Sequence, residues 1–483
     1  MTGPPDTAIL MAVSARFSAL LVFSTSALVL VLEIAAGRLM APHVGVSLEA
    51  FTGIIGTVLA GIAVGAAIGG WLADRYNPRL LIGQALFYGG ILVWLSIPIV
   101  AGVGPGMGAA PAEIVLLAGS AFFLPAAVLS GVPPMVAKLR LSSLDSTGSV
   151  IGGLSAWSTF GALLGTFGTG FVLLAIAPIR GIIITIGAVL VIAGATLLWR
   201  ERRRPGVVEG AVAVVAAAFV LSIGSTCDFE TAYSCVRIVP DVNREGGRSL
   251  ILDRVRHAHV DLNDPTHLEI RYARLFDRVI DTMAAGPLDV LHVGGGGLSM
   301  ARTIGAERPG STHVVLELDG DLADIVYDEL GGDQIDGLDV RIGDARLTIR
   351  DVPADSTDLV VGDAFGGDAV PWHLTTTEFV ADLDRVMRPD AVYVMNLIDG
   401  GESRLAAAQL ATLARTFEHV ALIVPAGGVP DRRVNQILAA SHAPITEIDI
   451  TPADGEVVDA ATLTSIIADA RILTDDFAPT DQL

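Results

Sequence analysis

The distribution of apolar residues divides the chain in two. Up to about residue 224, runs of some twenty apolar residues follow one another, near 17–37, 51–72, 80–103, 114–136, 149–174, 180–199 and 206–224. Each is of the length and composition that predicts a helix crossing a bilayer. The last is the weakest, being short with Glu209 near its start. Beyond residue 228 the runs shorten. Thr231–Pro240 and 248–253 read as strands flanking a turn at Gly246-Gly247, and 267–285 reads as a helix. Apolar runs at 288–293, 313–318, 338–342, 358–363, 391–397, 419–424 and 434–439 then alternate with helical patterns at 298–306, 321–329, 376–387 and 403–416. That rhythm predicts a parallel, doubly wound sheet. The expected organisation is a helical transmembrane bundle of about seven spans over 1–224, a small β region with a linking helix over 225–286, and a Rossmann-like, methyltransferase-type α/β domain over 287–483.

Charge sharpens the division. Residues 1–224 carry 11 basic and 8 acidic side chains, whereas 225–483 carry 20 and 44. A soluble half of that sign repels nucleic acid and favours cationic ligands. Within the bundle, one set of alternate ends holds Arg16, Arg75, Arg79, Lys138, Arg140, Arg200, Arg202, Arg203 and Arg204, and the other only Arg38 and Arg180. The positive-inside rule then puts the N-terminus in the cytoplasm, and seven crossings put the C-terminal domain outside. Cys227 and Cys235, the two cysteines, follow the last span. They can pair if that compartment is oxidising, or stay as two thiols.

Inside the bundle, Gly61, Gly65 and Gly69, and again Gly161 and Gly165, form small-residue faces that let helix backbones approach closely. Pro133 and Pro134 are expected to break or kink the fourth span. Glu33 lies within the first span; it is either a functional carboxylate or a partner of Arg38. The segment Gly70-Trp71-Leu72-Ala73-Asp74-Arg75, with Arg79, resembles the cytoplasmic loop after the second helix of major facilitator transporters.

Candidate chemistry gathers where predicted strands end, which is where open α/β sheets bind ligands. The first runs into Gly294-Gly295-Gly296-Gly297, which lets a ligand press against backbone at a helix N-terminus. The second ends in Glu317-Leu318-Asp319, with a carboxylate placed for ribose hydroxyls. Gly343-Asp344-Ala345 suits an adenine edge, and Asp363 begins a loop that runs through Gly366 and Gly367 to Asp368. No zinc-type cluster, Walker loop or basic nucleic-acid patch is visible.

These residues resemble the spermidine synthase family, within the wider class of S-adenosylmethionine-dependent Rossmann-like enzymes. The resemblance runs from about Glu230 to Leu483. It is carried by Glu230-Thr231-Ala232-Tyr233, Leu252-Asp253, the Gly loop, Leu316-Glu317-Leu318-Asp319, Gly343-Asp344-Ala345, the aspartate loop and Leu473-Thr474-Asp475-Asp476. With the block 371–379, the whole chain resembles the branch of that family fused to a multi-helix membrane region. The resemblance implies transfer of an aminopropyl group from decarboxylated S-adenosylmethionine, a co-substrate rather than a bound cofactor, to a small-molecule amine. Asp363 then matches the catalytic aspartate, with Asp368 as the alternative base. Glu317 matches the ribose-binding residue and Asp344 the adenine-binding one. Gly297 and Gly366 stand where the family has aspartates, and His257 where it has glutamine, so the nucleoside pocket is better kept than the amine pocket. The competing readings are a non-catalytic nucleoside- or polyamine-binding domain serving the bundle, and a methyltransferase. The expected partners are the amine, the nucleoside and a lipid bilayer, with no nucleic acid; a homo-oligomer is left open.

Overall fold

A computed structural model describes residues 14–141, 147–201, 206–367, 369–480 and 482–483. The chain divides into two compact units, Met1–Cys235 and Val236–Leu483.

The first unit is helical. Its helices are α1 (Ala15–Val44), α2 (Leu48–Ala73), α3 (Pro78–Val103), α4 (Pro111–Ala118), α5 (Leu124–Ser130), α6 (Val132–Arg140), α7 (Thr147–Gly168), α8 (Leu174–Ile176), α9 (Ile179–Arg200) and α10 (Val207–Ser222). The Ser14 and Ser47 side chains cap α1 and α2, and Asn77 caps α3 with Pro78 in its first turn. Among the described residues, six helical stretches are long and apolar enough to cross a membrane. The fourth of these, Pro111–Arg140, joins α4, α5 and α6 through a π-helical turn at Gly119–Phe123 and a restart after Gly131. Pro133 and Pro134 fall in the first turn of α6, where a missing N–H costs no intrahelical bond, so the break lies just ahead of them at Gly131.

The seventh predicted span differs from the other six. It is α10, only 16 residues, shorter than the roughly 20 that a bilayer core requires. Even so it packs on its neighbours. It starts after Glu201, at the end of α9, and buries Ala213, Ala216 and Val220 in the bundle. Close to its end, the Val220 carbonyl accepts a hydrogen bond from Arg180 at the start of α9.

The glycine faces are close backbone contacts. A Cβ on Gly65 would overlap Ala127 O, and one on Gly69 would stand 2.5 Å from Gly131 Cα. Gly161 and Gly165 meet Phe23 O and Ala27 O in the same way, which seats α7 on α1. Arg38 is not the partner of Glu33: its guanidinium donates to the carbonyls of Thr231 and Tyr233. Glu33 Oε2 is buried without a hydrogen-bond partner among the described residues. The Glu230 carboxylate accepts the Ile179 amide at 2.7 Å, and Cys227 is joined to Cys235 in a disulfide. The segment after α10 is thus strapped to the bundle end where α1 finishes and α9 begins.

Strand β1 (Phe229–Glu230) lies in that strap, and the division between units falls at the start of β2 (Cys235–Pro240). The second unit continues with β3 (Gly247–Leu252) and β4 (Val255–Asp261), antiparallel neighbours. Of these, β4 is hidden in the sequence by Arg256, His257 and His259, which break its apolar pattern. Then follow α11 (Arg271–Ile280), β5 (Asp289–Val293), α12 (Ser299–Glu307), β6 (Thr312–Glu317), α13 (Gly320–Glu329), β7 (Leu338–Ile342), α14 (Ala345–Thr348) and β8 (Thr357–Gly362). The chain ends with α15 (Thr377–Val386), β9 (Met387–Asp399), α16 (Arg404–Leu413), β10 (His419–Val424), β11 (Val434–Ser441), β12 (Glu456–Val457) and α17 (Ala460–Ala468).

The main sheet has the order β12-β10-β11-β9-β8-β5-β6-β7. It is mixed rather than wholly parallel. β5 to β9 pair in parallel, but β11 is antiparallel to both β9 and β10. The reason lies in the connection: only residues 425–433 join β10 to β11, too few for the crossover that parallel pairing needs. One face of the sheet packs around Phe379, Leu383 and Leu410 and the other around Leu275 and Phe276, all buried. The small sheet lies on α12 and α13 through Leu250, Ala258, Ala301 and Val326. This layering leaves the carboxyl ends of β5, β6 and β8 free to build a site.

Candidate functional site

β5 and β8 are paired, and their ends are tied together by the Asp363 amide donating to Val293 O at 2.9 Å. The Gly loop begins here. Gly294 has φ of 91° and lies against the next strand end, where a Cβ would come within 2.8 Å of Asp363 O. Only glycine meets both demands. Gly296 is also left-handed, and a Cβ there would meet nothing within 4 Å, so backbone is open to a ligand at this point.

Glu317, the last residue of β6, braces the loop. Its Oε2 accepts the Gly295 amide at 2.8 Å and its Oε1 the Asp319 amide at 2.9 Å. An ionised carboxylate has about four acceptor sites. The two amides use half of them, and the remainder suit a pair of hydroxyls. Burial holds the Glu317 carboxyl above its ordinary range against these hydrogen bonds. Asp319 plays a structural part instead. It is buried and caps α13 by accepting the Leu322 amide at 3.2 Å.

Asp363 follows the end of β8. Asn396 of β9 donates to its Oδ1 at 2.9 Å. The Tyr272 hydroxyl lies within hydrogen-bonding reach of both the His257 carbonyl, at 3.1 Å, and the Asp363 carboxylate, and its one proton serves one of them at a time. Burial pushes Asp363 up to about 6, and the Asn396 and Tyr272 hydrogen bonds hold it from rising further. Asn396 is 3% exposed and is itself oriented, because Asn435 of β11 donates to its Oδ1 at 3.0 Å. The carbonyl of Asn435 in turn accepts from Arg271 at 2.7 Å. With its oxygen taken, the Asn396 amide can only present its NH2 to Asp363. The result is a carboxylate at a strand end, held in one orientation and near neutrality in its proton affinity. Such a group can accept a proton from a bound nucleophile.

The remaining predicted residues fall around this centre. Asp344 caps α14 through the Arg346 amide at 2.9 Å, and His373 Nε2 stands 3.3 Å from its Oδ1; Ala345 beside it is buried. His257 touches the site through its backbone carbonyl. A Cβ on Gly297 would stand 2.6 Å from that of Ala258, so β4 closes the space in which an aspartate would lie. Gly366 opens a tight turn closed by its amide on Ala369 O at 2.8 Å, and Asp368 lies outside the described residues. Asp475 is a clamp: it accepts Thr376 Oγ1 and Arg346 Nη2, both at 2.7 Å. The described residues hold no group of three or more potential metal ligands.

Sequence reasoning passed over Tyr272, Asn396 and Asn435. Asn396 did carry a signal: it is a lone amide in the apolar run 391–398, and a buried amide in a central strand needs a polar partner. Tyr272 looked like an ordinary apolar position of α11.

The chain matches no known protein-family model. A polyamine aminopropyltransferase from Chromobacterium violaceum is 27% identical over 164 residues, 33% of this chain and 62% of that protein. The chain thus matches less than two thirds of that relative's length. A probable spermidine synthase from Corynebacterium glutamicum aligns at 25% identity and a TM-score of 0.48, over 53% of this chain and 99% of that one. A spermidine synthase in complex with the transition state analogue AdoDATO aligns at 16% identity and a TM-score of 0.36, covering 53% and 82%. The chain is similar to polyamine aminopropyltransferases and spermidine synthases.

Proposed function

We propose that the second unit transfers an aminopropyl group from decarboxylated S-adenosylmethionine to an amine. The observation that carries this reading is the Asp363 carboxyl, buried and oriented by Asn396, beside a Gly loop braced by Glu317. Ammonium groups are mostly protonated at neutral pH, so the nucleophile must lose a proton. In the reaction the amine nitrogen attacks the methylene next to the sulfonium. The C–N bond forms as the C–S bond breaks, sulfur keeps the electron pair, and methylthioadenosine leaves. Asp363 takes the amine proton. Glu317 holds the ribose hydroxyls and Asp344 lies toward the adenine. The acidic surface of this half attracts the cationic amine.

The purified full-length protein, given decarboxylated S-adenosylmethionine and a panel of amines, is expected to release methylthioadenosine. Release of S-adenosylhomocysteine from S-adenosylmethionine instead makes it a methyltransferase. Binding of methylthioadenosine without turnover favours the nucleoside-binding reading, to which glycine at 297 and 366 is the observation that points.

Asn396 has a testable place in this scheme. Its hydrogen bond lowers the Asp363 pKa, so Asn396→Leu raises it. The acidic limb of the rate profile should then move to higher pH than the limb near pH 6 of the parent, with a fall in kcat of roughly tenfold. An acidic limb left in place removes Asn396 from the orientation of the base.

The bundle is read as a multi-pass membrane anchor with its arginine-rich end in the cytoplasm and the α10 strap at the opposite face. Reporter fusions after Val207 and after Gly224 should therefore report opposite sides. Thiol labelling of the unreduced, denatured protein should find neither Cys227 nor Cys235 free. Two cytoplasmic reporters, or two reactive thiols, overturn this placement.

A further inference from the structure

The arginine-rich end of the bundle contains a cavity that neither the proposed reaction nor the membrane topology uses. It encloses about 290 Å³ between α1, α3, α6 and α9. Its lining is part charged and part apolar. Arg79 at the start of α3 and Arg200 and Glu201 at the end of α9 form the rim, while Leu21 of α1 and Leu139 of α6 belong to the apolar wall. Arg79 and Glu201 approach to 3.7 Å, and among the described residues lining the cavity there are two guanidinium groups and one carboxylate. Arg202, Arg203 and Arg204 follow directly in the sequence and lie outside the described residues.

A second observation points to an occupant. Ser18 lines the cavity and is 1% exposed, yet its hydroxyl has no hydrogen-bond partner among the described residues. Buried hydroxyls are nearly always paired, and a helical serine ordinarily turns back to a carbonyl of the preceding turn. A hydroxyl left unpaired in the wall of a cavity rimmed by arginine matches a ligand that brings its own acceptor oxygens.

We propose that this cavity binds the headgroup of an anionic phospholipid, with the phosphodiester on Arg79 and Arg200, a headgroup oxygen on Ser18 and the start of an acyl chain along Leu21 and Leu139. The planar guanidinium fork fits phosphate oxygens, and basic pockets between helices at the cytoplasmic face are suited to such headgroups. Glu201 accepts from headgroup hydroxyls, and Arg79 and Arg200 repel a choline cation, which together favour a glycerol headgroup. The volume is on the order of the smallest ligand pockets and matches a headgroup rather than a whole lipid.

The test uses the full-length protein, stripped of lipid in detergent and titrated with phosphatidylglycerol, phosphatidylcholine or inorganic phosphate. Bound species are counted by native mass spectrometry. Phosphatidylglycerol is expected to bind at least tenfold more tightly than phosphatidylcholine. Arg79→Gln with Arg200→Gln should abolish that preference, and Ser18→Ala should weaken phosphatidylglycerol several-fold. Arg75→Gln, at the same end but outside the cavity, should change nothing. Equal loss in Arg75→Gln means diffuse surface charge and overturns the site. Displacement of phosphatidylglycerol by inorganic phosphate at comparable concentration overturns the lipid as occupant. If the double arginine variant does not fold, undiminished binding by Ser18→Ala overturns the proposal.

Discussion

Asp363→Asn in the full-length protein is expected to lose activity and gain stability together. Asparagine keeps the shape and can still accept from Asn396, while its own NH2 can donate to the Tyr272 oxygen. The base is gone, so turnover should fall by about 10²–10⁴-fold, with methylthioadenosine binding kept within a few-fold. The stability change follows from the same burial. Asp363 is raised in the folded protein from 3.8 to about 6. A raised carboxyl contributes its stability below the unfolded value and loses it as pH rises through the folded one. At pH 8 the buried carboxylate therefore costs up to roughly 3 kcal/mol, which the asparagine variant does not bear. Thermal unfolding of parent and variant should separate at pH 8, with the variant higher, and converge near pH 4. A variant less stable at pH 8 means that Asp363 is not the strained group of this site. Loss of turnover only in Asp368→Asn would move the base to that residue.

The second large effect is at Glu317. Hydrogen bonds from hydroxyls to a carboxylate are worth roughly 1.5–3 kcal/mol each. Glu317→Ala should weaken methylthioadenosine binding at least tenfold in calorimetry. Part of that loss is indirect, because the Gly295 and Asp319 amides lose their acceptor and the Gly loop loses its brace. For the same reason Glu317→Gln is not a neutral control here: one of the two amides would face an NH2. Affinity unchanged in Glu317→Ala would remove the ribose assignment altogether.

Much of the second unit was legible because its signals are local. Each of the seven runs from 288 to 439 is a strand of the main sheet: the inner ones are continuous apolar stretches because they are buried, and β7, at the edge, alternates apolar and charged residues. The direction of the last strands was less visible, although the short 425–433 connection held the answer. Among the candidate site residues, the Gly loop, Glu317 and Asp363 were legible as neighbouring strand ends because a strand end followed by glycine or a carboxylate stands out in the sequence. Asp319 shows the limit of that argument, since an acid after a strand also caps the next helix. The relay from Asn435 through Asn396 to Asp363 could not be read, because it depends on three strands being adjacent in the order β11-β9-β8. In the first unit, spacing alone marked the glycine faces. The partner of Arg38 was out of reach, because the carbonyls of Thr231 and Tyr233 lie almost two hundred residues along the chain.

The central claim is that Asp363 serves as the base for aminopropyl transfer. It is tested most directly by giving the full-length protein decarboxylated S-adenosylmethionine deuterated in the aminopropyl group, with an amine panel, and weighing the products. The account predicts a labelled aminopropyl group on the amine, methylthioadenosine in equal amount, and loss of both in Asp363→Asn. Label that never reaches any amine, or that reaches it equally well in Asp363→Asn, contradicts it.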